Sequence, residues 1–310
     1  GMTPGTVYYW AIRVKDEVPN LSGLSNSPSA KAQTAGAVAG MLSYGVGAAN
    51  TPYWRKWEPP SFGPGQTGPA TAADPTSMAQ HMATRAAPLR NEKITGILSN
   101  DGMLQIQRYN GITNTWTNEW NTTAIKDSGA NLAYRLFDIA YEQNSGRAMV
   151  FYQGINSGDF YYNTWNGSSW TGAVTLTTGT ASRAAWIRLE PKKNSNELMA
   201  VISDENRTLY AVRWTGTGWS NGYQVTAGLS DIVKQNFDIA WERNGGECLV
   251  VYDGGTVGRA DTAKWSGAAW APFTASYFAF GGANGTPQWI KLASNPNPGS
   301  TYADYIAATA

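Results

Sequence analysis

The 310-residue sequence has one cysteine and one histidine, which limits the chemistry that it can carry. A single cysteine, Cys248, excludes an internal disulfide framework and a cysteine-rich zinc site. It lies in the apolar run from Glu247 to Tyr252, which favours a buried small side chain over a reactive thiol. With His81 as its only histidine, the chain has little means of building a multi-histidine metal site or a histidine-dependent catalytic triad. We therefore expect no cofactor.

Charge and long apolar runs are also scarce. Charged residues make up 15% of the chain, and 23 basic against 22 acidic side chains give a net charge of +1. A nucleic-acid binder needs a basic stripe, which this balance does not supply. No apolar run reaches membrane-spanning length, and the sequence shows no signal peptide. Gly1-Met2 is typical of a sequence prepared for expression, from which a natural leader could have been left out. The sequence predicts neither nucleic-acid binding nor membrane insertion.

What the sequence does have is a repeated hairpin with a tryptophan at each end. The pattern Trp-x-Gly-x-x-Trp occurs at Trp165–Trp170, Trp214–Trp219 and Trp265–Trp270, and the first tryptophans lie 49 and 51 residues apart. Strand-like text leads into each copy, and four residues with glycine in second place are typical of a hairpin loop. We predict that the two indoles of each copy lie across from each other on one face of a sheet.

A second hairpin alternates with the first. Phe137 to Tyr152 and Phe237 to Tyr252 match each other 100 residues apart, Trp186 to Ile202 lies midway, and weaker copies occur at Met82 to Leu98 and from Trp289 onward. Two hairpins per unit of about 50 residues predict an all-β fold, a five-bladed β-propeller of four-stranded blades over residues 37–310. The blades are placed near residues 38–100, 101–155, 156–203, 204–255 and 256–310.

Residues 1–36 differ from these repeats. Pro4-Gly5-Thr6-Val7-Tyr8, followed by Asp16 and Asn20-Leu21-Ser22, resembles the last two strands of a fibronectin type III domain, with Tyr8 as the corner tyrosine. The resemblance implies an N-terminal β-hairpin remnant of such a domain. Because two strands cannot bury their apolar face alone, this hairpin must pack on the larger domain or on another chain, which would make a dimer.

Single charges of alternating sign recur in the second hairpins. Aligned on their turns, these positions lie 53, 50, 50 and 53 residues apart and hold Arg85, Asp138, Arg188, Asp238 and Lys291. An unpaired charge among apolar neighbours is costly, so we expect structural charge pairs between neighbouring blades, Asp138 with Arg85 or Arg188 and Asp238 with Arg188 or Lys291. If five units close a ring, Arg85 meets Lys291. This seam is either solvated or paired with a carboxylate such as Glu190, or it binds an anion.

The tryptophan hairpins have two interpretations. Indole faces stack on sugars, and the second tryptophans Trp170, Trp219 and Trp270 are the candidates for exposure and ligand binding because polar or turn residues follow them. Packing between blades also needs a large apolar residue at each of these places. Loops such as Asn156 to Asp159 offer oxygen ligands for structural calcium, but none has the spacing of an EF-hand, and ordinary turn chemistry explains these residues better.

The repeats resemble those of bacterial surface propellers and, more loosely, sialidase-like propellers. The aspartate box of sialidases is not met, and no catalytic residues are assigned. The resemblance implies a secreted or cell-surface binding module for carbohydrate or protein, with no clear sign of an enzyme. The alternatives are a sialidase-like glycoside hydrolase and a purely structural surface domain.

Overall fold

The computed structural model describes residues 7–9, 29–31, 40–47, 49–58, 60–123, 125, 133–243, 246–279, 285–295 and 305–309. Contacts divide the chain into two compact units, Gly1–Met41 with Lys56–Gly63, and Leu42–Arg55 with Pro64–Ala310. All regular structure over these described ranges is β-strand. No helix among them is long and apolar enough to cross a membrane.

Antiparallel pairs are the described structure of the first unit. Strands β1 (Val7–Tyr9) and β2 (Ser29–Lys31) pair with Val7 opposite Lys31. The predicted N-terminal hairpin of fibronectin type III character and its boundary at residue 36 stay predictions, since most of residues 1–36 lie outside the described ranges. Strand β3 is Gly40–Tyr44, and the end of β4 (Tyr53–Glu58) pairs with β5 (Ser61–Phe62).

Four complete sheets make up most of the second unit, which also holds β6 (Gln66–Thr67), paired with the start of β4. The first sheet contains β7 (Ala79–Ala86), β8 (Glu92–Ser99), β9 (Leu104–Asn110) and β10 (Thr115–Asn121). The second contains β11 (Phe137–Tyr141), β12 (Ala148–Gln153), β13 (Phe160–Trp165) and β14 (Val174–Leu176). Each strand pairs antiparallel with the next in sequence.

The third and fourth sheets repeat this order, and a two-stranded fifth follows. The third contains β15 (Ala184–Pro191), β16 (Leu198–Asp204), β17 (Leu209–Trp214) and β18 (Tyr223–Thr226). The fourth contains β19 (Phe237–Trp241), β20 (Cys248–Tyr252), β21 (Arg259–Trp265) and β22 (Trp270–Ala279). The fifth contains β23 (Ile290–Ser294) and β24 (Tyr305–Thr309). The first strands β7, β11, β15, β19 and β23 contact one another in that order.

The sheets do not begin where the predicted blades begin, which corrects those boundaries. Residues 101, 156, 204 and 256 fall between or at the ends of the second and third strands of a sheet, not between sheets. Each sheet instead joins a second hairpin to the tryptophan hairpin that follows it. The physical reason is that a repeat of two hairpins fixes a period but not a phase: the hydrogen-bonded ladder continues from β12 into β13, with Ala148 opposite Trp165.

The core lies between the faces of consecutive sheets. Every residue of β8, β11, β12 and β16 is buried, because both faces of these strands are covered. The contact is close enough to require glycine at Gly96, where a Cβ atom would come within 2.3 Å of the Phe137 ring in the next sheet. Buried residues of the first four sheets form one hydrophobic cluster, and a second cluster joins the fourth sheet to the fifth. Each sheet therefore depends on its neighbour for stability.

The tryptophan hairpins form as predicted. The two indoles of each copy are paired across the strands, with ring centroids 5.5, 5.5 and 5.9 Å apart. The loop explains the repeated glycine, since Gly167, Gly216 and Gly267 have φ of 103°, 99° and 92°, a region in which side chains are strained. The spacing of the two tryptophans is thus set by a four-residue turn with left-handed backbone at its glycine.

Candidate functional site

The alternating charges of the first strands lie in one chain of ion pairs. Arg85 lies 3.2 Å from Asp138, Arg188 lies 2.9 Å from Asp138 and 2.8 Å from Asp238, and Lys291 lies 3.9 Å from Asp238. These are the pairs between neighbouring sheets that the alternating signs indicate. Two residues outside the predicted set join them: Arg135 pairs with Asp138, and Glu190 lies 3.7 Å from Arg188. We call these seven residues the first-strand charge cluster.

Burial makes the middle of this cluster different from its ends. The side chains of Asp138 and Asp238 are 0% and 1% exposed, whereas those of Arg85 and Lys291 are 33% and 60% exposed. Burial alone would raise the pKa of Asp138, but Arg135, Arg85, Arg188 and the Leu189 N–H lower it to about 2. The two aspartates likewise raise the pKa of the buried Arg188 guanidinium against the effect of burial. The two buried aspartates in the middle of the cluster are thus each paired with more than one cation.

The second tryptophans pack on the preceding sheet. Trp219 contacts Phe151 and Tyr162 of the second sheet, with centroids 5.5 and 5.9 Å away. Trp270 stacks on Tyr223 of the third sheet at 5.0 Å with parallel planes. Each ring is partly buried, and these contacts are those of packing between sheets. A ligand-binding role for these residues stays a prediction.

Trp170 behaves in the same way but borders an opening. Its Nε1 donates to Glu119 Oε2 at 3.0 Å, and its edge meets Trp120 of the first sheet at 5.6 Å. Beside this contact, between the first and second sheets, lies a cleft of about 380 Å³. We call it the inter-sheet cleft.

Aromatic rings and neutral polar groups line the inter-sheet cleft. The rings are Trp120, Tyr152 and Tyr161, and the polar side chains are Asn121, Thr122, Thr123 and Asn163. Ile125, Gly154, Ile155 and Ala173 complete the lining. None of these lining residues is an acid, a lysine or an arginine.

The rings form a continuous wall. Trp120 and Tyr152 lie 5.7 Å apart at a tilt of 42°, and Tyr152 stacks with Tyr161 at 5.9 Å. Gly154 allows this arrangement, since a Cβ atom there would come within 2.5 Å of the Tyr161 ring. Tyr152 is only 5% exposed, whereas Trp120 and Tyr161 are half-buried and present part of their rings to the cleft.

Polar groups stand at both ends of this wall. The Tyr152 hydroxyl donates to Asn163 Oδ1 at 3.0 Å, and burial together with Tyr161 raises the pKa of Tyr152 to about 12, so the hydroxyl stays a donor at neutral pH. Trp120 Nε1 is buried without a hydrogen-bond partner among the described residues. Asn121 and Thr123 are exposed at the rim. The cleft can stack a ring and exchange hydrogen bonds with it, and no described group in it is placed for acid–base or nucleophilic catalysis.

The sequence analysis did not assign the residues of this cleft. The signal that distinguishes them is Tyr161-Tyr162-Asn163, where the corresponding strand of the third sheet has Tyr210-Ala211-Val212. Tyr162 and Asn163 stand where the next repeat has the aliphatic residues Ala211 and Val212. Such a difference indicates that packing is not the only constraint on these two positions. Trp120 is distinguished in another way, because Trp116 and Trp120 lie four residues apart on the single strand β10 and not at the two ends of a Trp-x-Gly-x-x-Trp turn.

Several solved lectins align with this chain. The lectin BP39L from Burkholderia pseudomallei aligns with 92% of this chain and 84% of its own, with a TM-score of 0.51 and 14% identity. The lectin SapL1, solved with α-methyl fucoside, aligns with 73% of this chain and 72% of its own, with a TM-score of 0.47 and 16% identity. The Aleuria aurantia lectin, solved with α-methyl-L-fucoside, aligns with 82% of this chain and 83% of its own, with a TM-score of 0.44 and 12% identity.

No protein-family model matches the sequence, and no curated protein matches it. The similarity to BP39L and the four-stranded antiparallel sheets show an all-β protein of the β-propeller fold, as predicted. The number of blades stays a prediction.

Proposed function

We propose that this protein is a non-catalytic carbohydrate-recognition module that binds a neutral sugar in the inter-sheet cleft. The observation that carries the proposal is the combination of Trp120, Tyr152 and Tyr161 in one wall with Asn121, Thr123 and Asn163 beside it. A sugar ring offers an apolar face for stacking and hydroxyl groups for amides and hydroxyls. The fold of BP39L, a lectin, supports the same function.

The neutrality of the cleft narrows the ligand class. An acidic sugar entering it would leave its carboxylate without a cation among the lining residues, and an unpaired charge in a partly buried site is costly. Neutral hexoses fit the lining better than acidic sugars do. Deoxyhexoses also fit, because the loss of a hydroxyl makes their surface more apolar. The site itself gives no preference among them.

A matched pair of variants tests the site. Ala173 lines the cleft and is exposed, and Gly172 beside it is exposed but has no atom within 4 Å of an added Cβ. On an array of neutral and acidic glycans we expect the unaltered chain to bind neutral glycans. Ala173→Arg should weaken that binding at least about tenfold by filling the cleft, while Gly172→Arg should bind as the unaltered chain does. Equal binding by both variants would place the sugar elsewhere, and an array without binding would sink the proposal.

The other functional alternatives can be separated by direct assays. Turnover of chromogenic glycosides would favour the sialidase-like hydrolase, and an empty array without turnover would favour a structural surface domain. We also propose a secreted or cell-surface location, the setting in which a sugar-binding module meets glycans. A dimer through the N-terminal hairpin and a protein ligand stay predictions.

A further inference from the structure

The first-strand charge cluster has an excess of positive charge that its own carboxylates do not neutralise. Its four cations, Arg85, Arg135, Arg188 and Lys291, face three carboxylates, Asp138, Asp238 and Glu190. The two aspartates already accept other bonds: Asp138 receives the Leu189 and Ile139 N–H groups, and Asp238 receives the Leu292 N–H. Little acceptor capacity is left for the cations at the two ends of the cluster.

Lys291 shows this shortage most clearly. Its Nζ is 3.9 Å from Asp238, at the limit of an ion pair, and it donates to the amide oxygen of Gln235 at 3.2 Å. Partial burial, which Asp238 opposes and Arg188 and Arg135 reinforce, lowers the pKa of Lys291. An added negative charge beside this ammonium group would therefore be stabilised.

Arg85, at the other end of the cluster, lies beside the third sheet, because Arg188 of that sheet contacts the same carboxylate, Asp138. Trp186 of the third sheet meets His81 of the first sheet at 5.5 Å and Trp289, just before β23, at 5.7 Å. The first strands of the first, third and fifth sheets therefore converge.

We propose that a small oxyanion, free or carried by an acidic sugar, binds between the exposed ends of Arg85 and Lys291. The guanidinium offers paired N–H donors and the ammonium a point charge, a combination suited to sulfate, phosphate or a carboxylate. This site is distinct from the inter-sheet cleft, whose lining is neutral. The proposal does not depend on sugar binding there.

Glu190 makes the site sensitive to pH. At the corresponding place the second and fourth sheets have Ala140 and Ala240, two residues beyond Asp138 and Asp238. Burial raises the pKa of Glu190 to about 7, with Arg188 opposing the rise. The groups around it are Arg188 and Lys192 from its own hairpin and, from other strands, Arg85, Asp138, Asp238 and Cys248. Proton uptake by Glu190 removes a negative charge from the cluster, so the oxyanion should bind more tightly below pH 7.

Titration with sodium sulfate at constant ionic strength tests the site. Calorimetry and thermal melting should show saturable binding and stabilisation of the full chain. Lys291→Met should weaken sulfate binding at least about tenfold, and Lys291→Arg should keep it. Lys264→Met is the control, because Lys264 pairs with Glu247 at 3.0 Å outside the cluster and its loss should change nothing. The proposal fails if sulfate has no saturable effect, or if Lys291→Met binds it unchanged.

Two further arms identify the source of the anion and the role of Glu190. Glucuronate binding tighter than sulfate would indicate an acidic sugar as the source, and the reverse would indicate a free oxyanion, while galactose should not bind this site. From pH 8 to pH 6 sulfate affinity should rise severalfold, and Glu190→Gln should bind equally well at both. A pH response that survives in Glu190→Gln would overturn the role of Glu190.

Discussion

Asp138 shows how one buried carboxylate holds three sheets together. Its oxygens accept from Arg85 of the first sheet, from Arg188 and Leu189 of the third, and from Arg135 and Ile139 on its own side. Burial of a charge is tolerated here because each lone-pair direction has a donor. The charge is therefore structural, and the sequence supports this interpretation, since an aspartate recurs at Asp238 with the repeat.

Replacing Asp138 by asparagine should destabilise the chain by about 3–5 kcal/mol, because it leaves buried guanidinium groups without a carboxylate. Urea unfolding measures the loss, and Asp159→Asn is the control, since the Asp159 carboxylate accepts from the nearby side chain of Asn156.

The pKa of Asp138 falls from 3.8 to about 2 on folding, so its contribution is complete above pH 3.8 and is lost as pH falls towards 2. The gap between the parent and Asp138→Asn should narrow over that range. A loss no greater than that of Asp159→Asn would contradict the network.

Strand pairing shows what a repeat can and cannot reveal. Alternating apolar residues and the Trp-x-Gly-x-x-Trp turns were sufficient to predict the strands and the pairing of Trp214 with Trp219. The grouping of hairpins into sheets was predicted half a unit out of phase, because it depends on contacts between strands that are adjacent only in space. The loop geometry at Gly216 is a local property, whereas the sheet boundary is not.

The two tryptophans of one hairpin differ in a way that predicts their energetics. Trp214 Nε1 donates to the buried Glu142 at 2.7 Å, and Arg147 lies over its ring at 5.4 Å. Trp219 Nε1 has no hydrogen-bond partner among the described residues. Both changes to phenylalanine remove part of a ring, but only Trp214→Phe removes a bond to a carboxylate.

We expect Trp214→Phe to cost about 1–3 kcal/mol more than Trp219→Phe, the value of a hydrogen bond to a buried charged group. Chemical unfolding of both variants against the parent gives the difference. Equal losses would mean that ring volume alone decides the packing between the second and third sheets. Since Trp219 contacts Phe151 and Tyr162, a small loss for Trp219→Phe is also part of the expectation.

At the scale of the molecule, the repeats predict the fold but not the place of the cleft. A period of about 50 residues and four strands per unit are sufficient for a propeller, because each unit must bury its faces on the next. The cleft arises where one interface between sheets departs from the others, and this depends on which residues of two different repeats come together. Trp120 and Tyr152 are 32 residues apart in the sequence and belong to different sheets. No local pattern joins them.

The strand registers show that the next interface is filled differently. Trp120 lies opposite Ile106, and the corresponding residue of the second sheet is Val174, opposite Tyr162. Counted from Trp214 in the same way, Ile202 and Val212 of the third sheet take the places of Tyr152 and Asn163. Two rings of the aromatic wall and the amide are thus replaced by aliphatic side chains between the second and third sheets, while Tyr210 keeps the place of Tyr161.

We therefore expect about one neutral sugar per chain, because the places of Trp120, Tyr152 and Asn163 at the first interface are taken by aliphatic residues at the second. Calorimetry with a monovalent glycan identified on the array should give this stoichiometry, and Ala173→Arg should remove all of it. A chain with several equivalent sites would instead keep most of its binding in Ala173→Arg and would bind clustered glycans through avidity. A stoichiometry near two or above, retained in part by the variant, would show that the aliphatic interface also binds sugar. The replacement of Trp120 by Val174 at the second interface would then affect packing and not sugar binding.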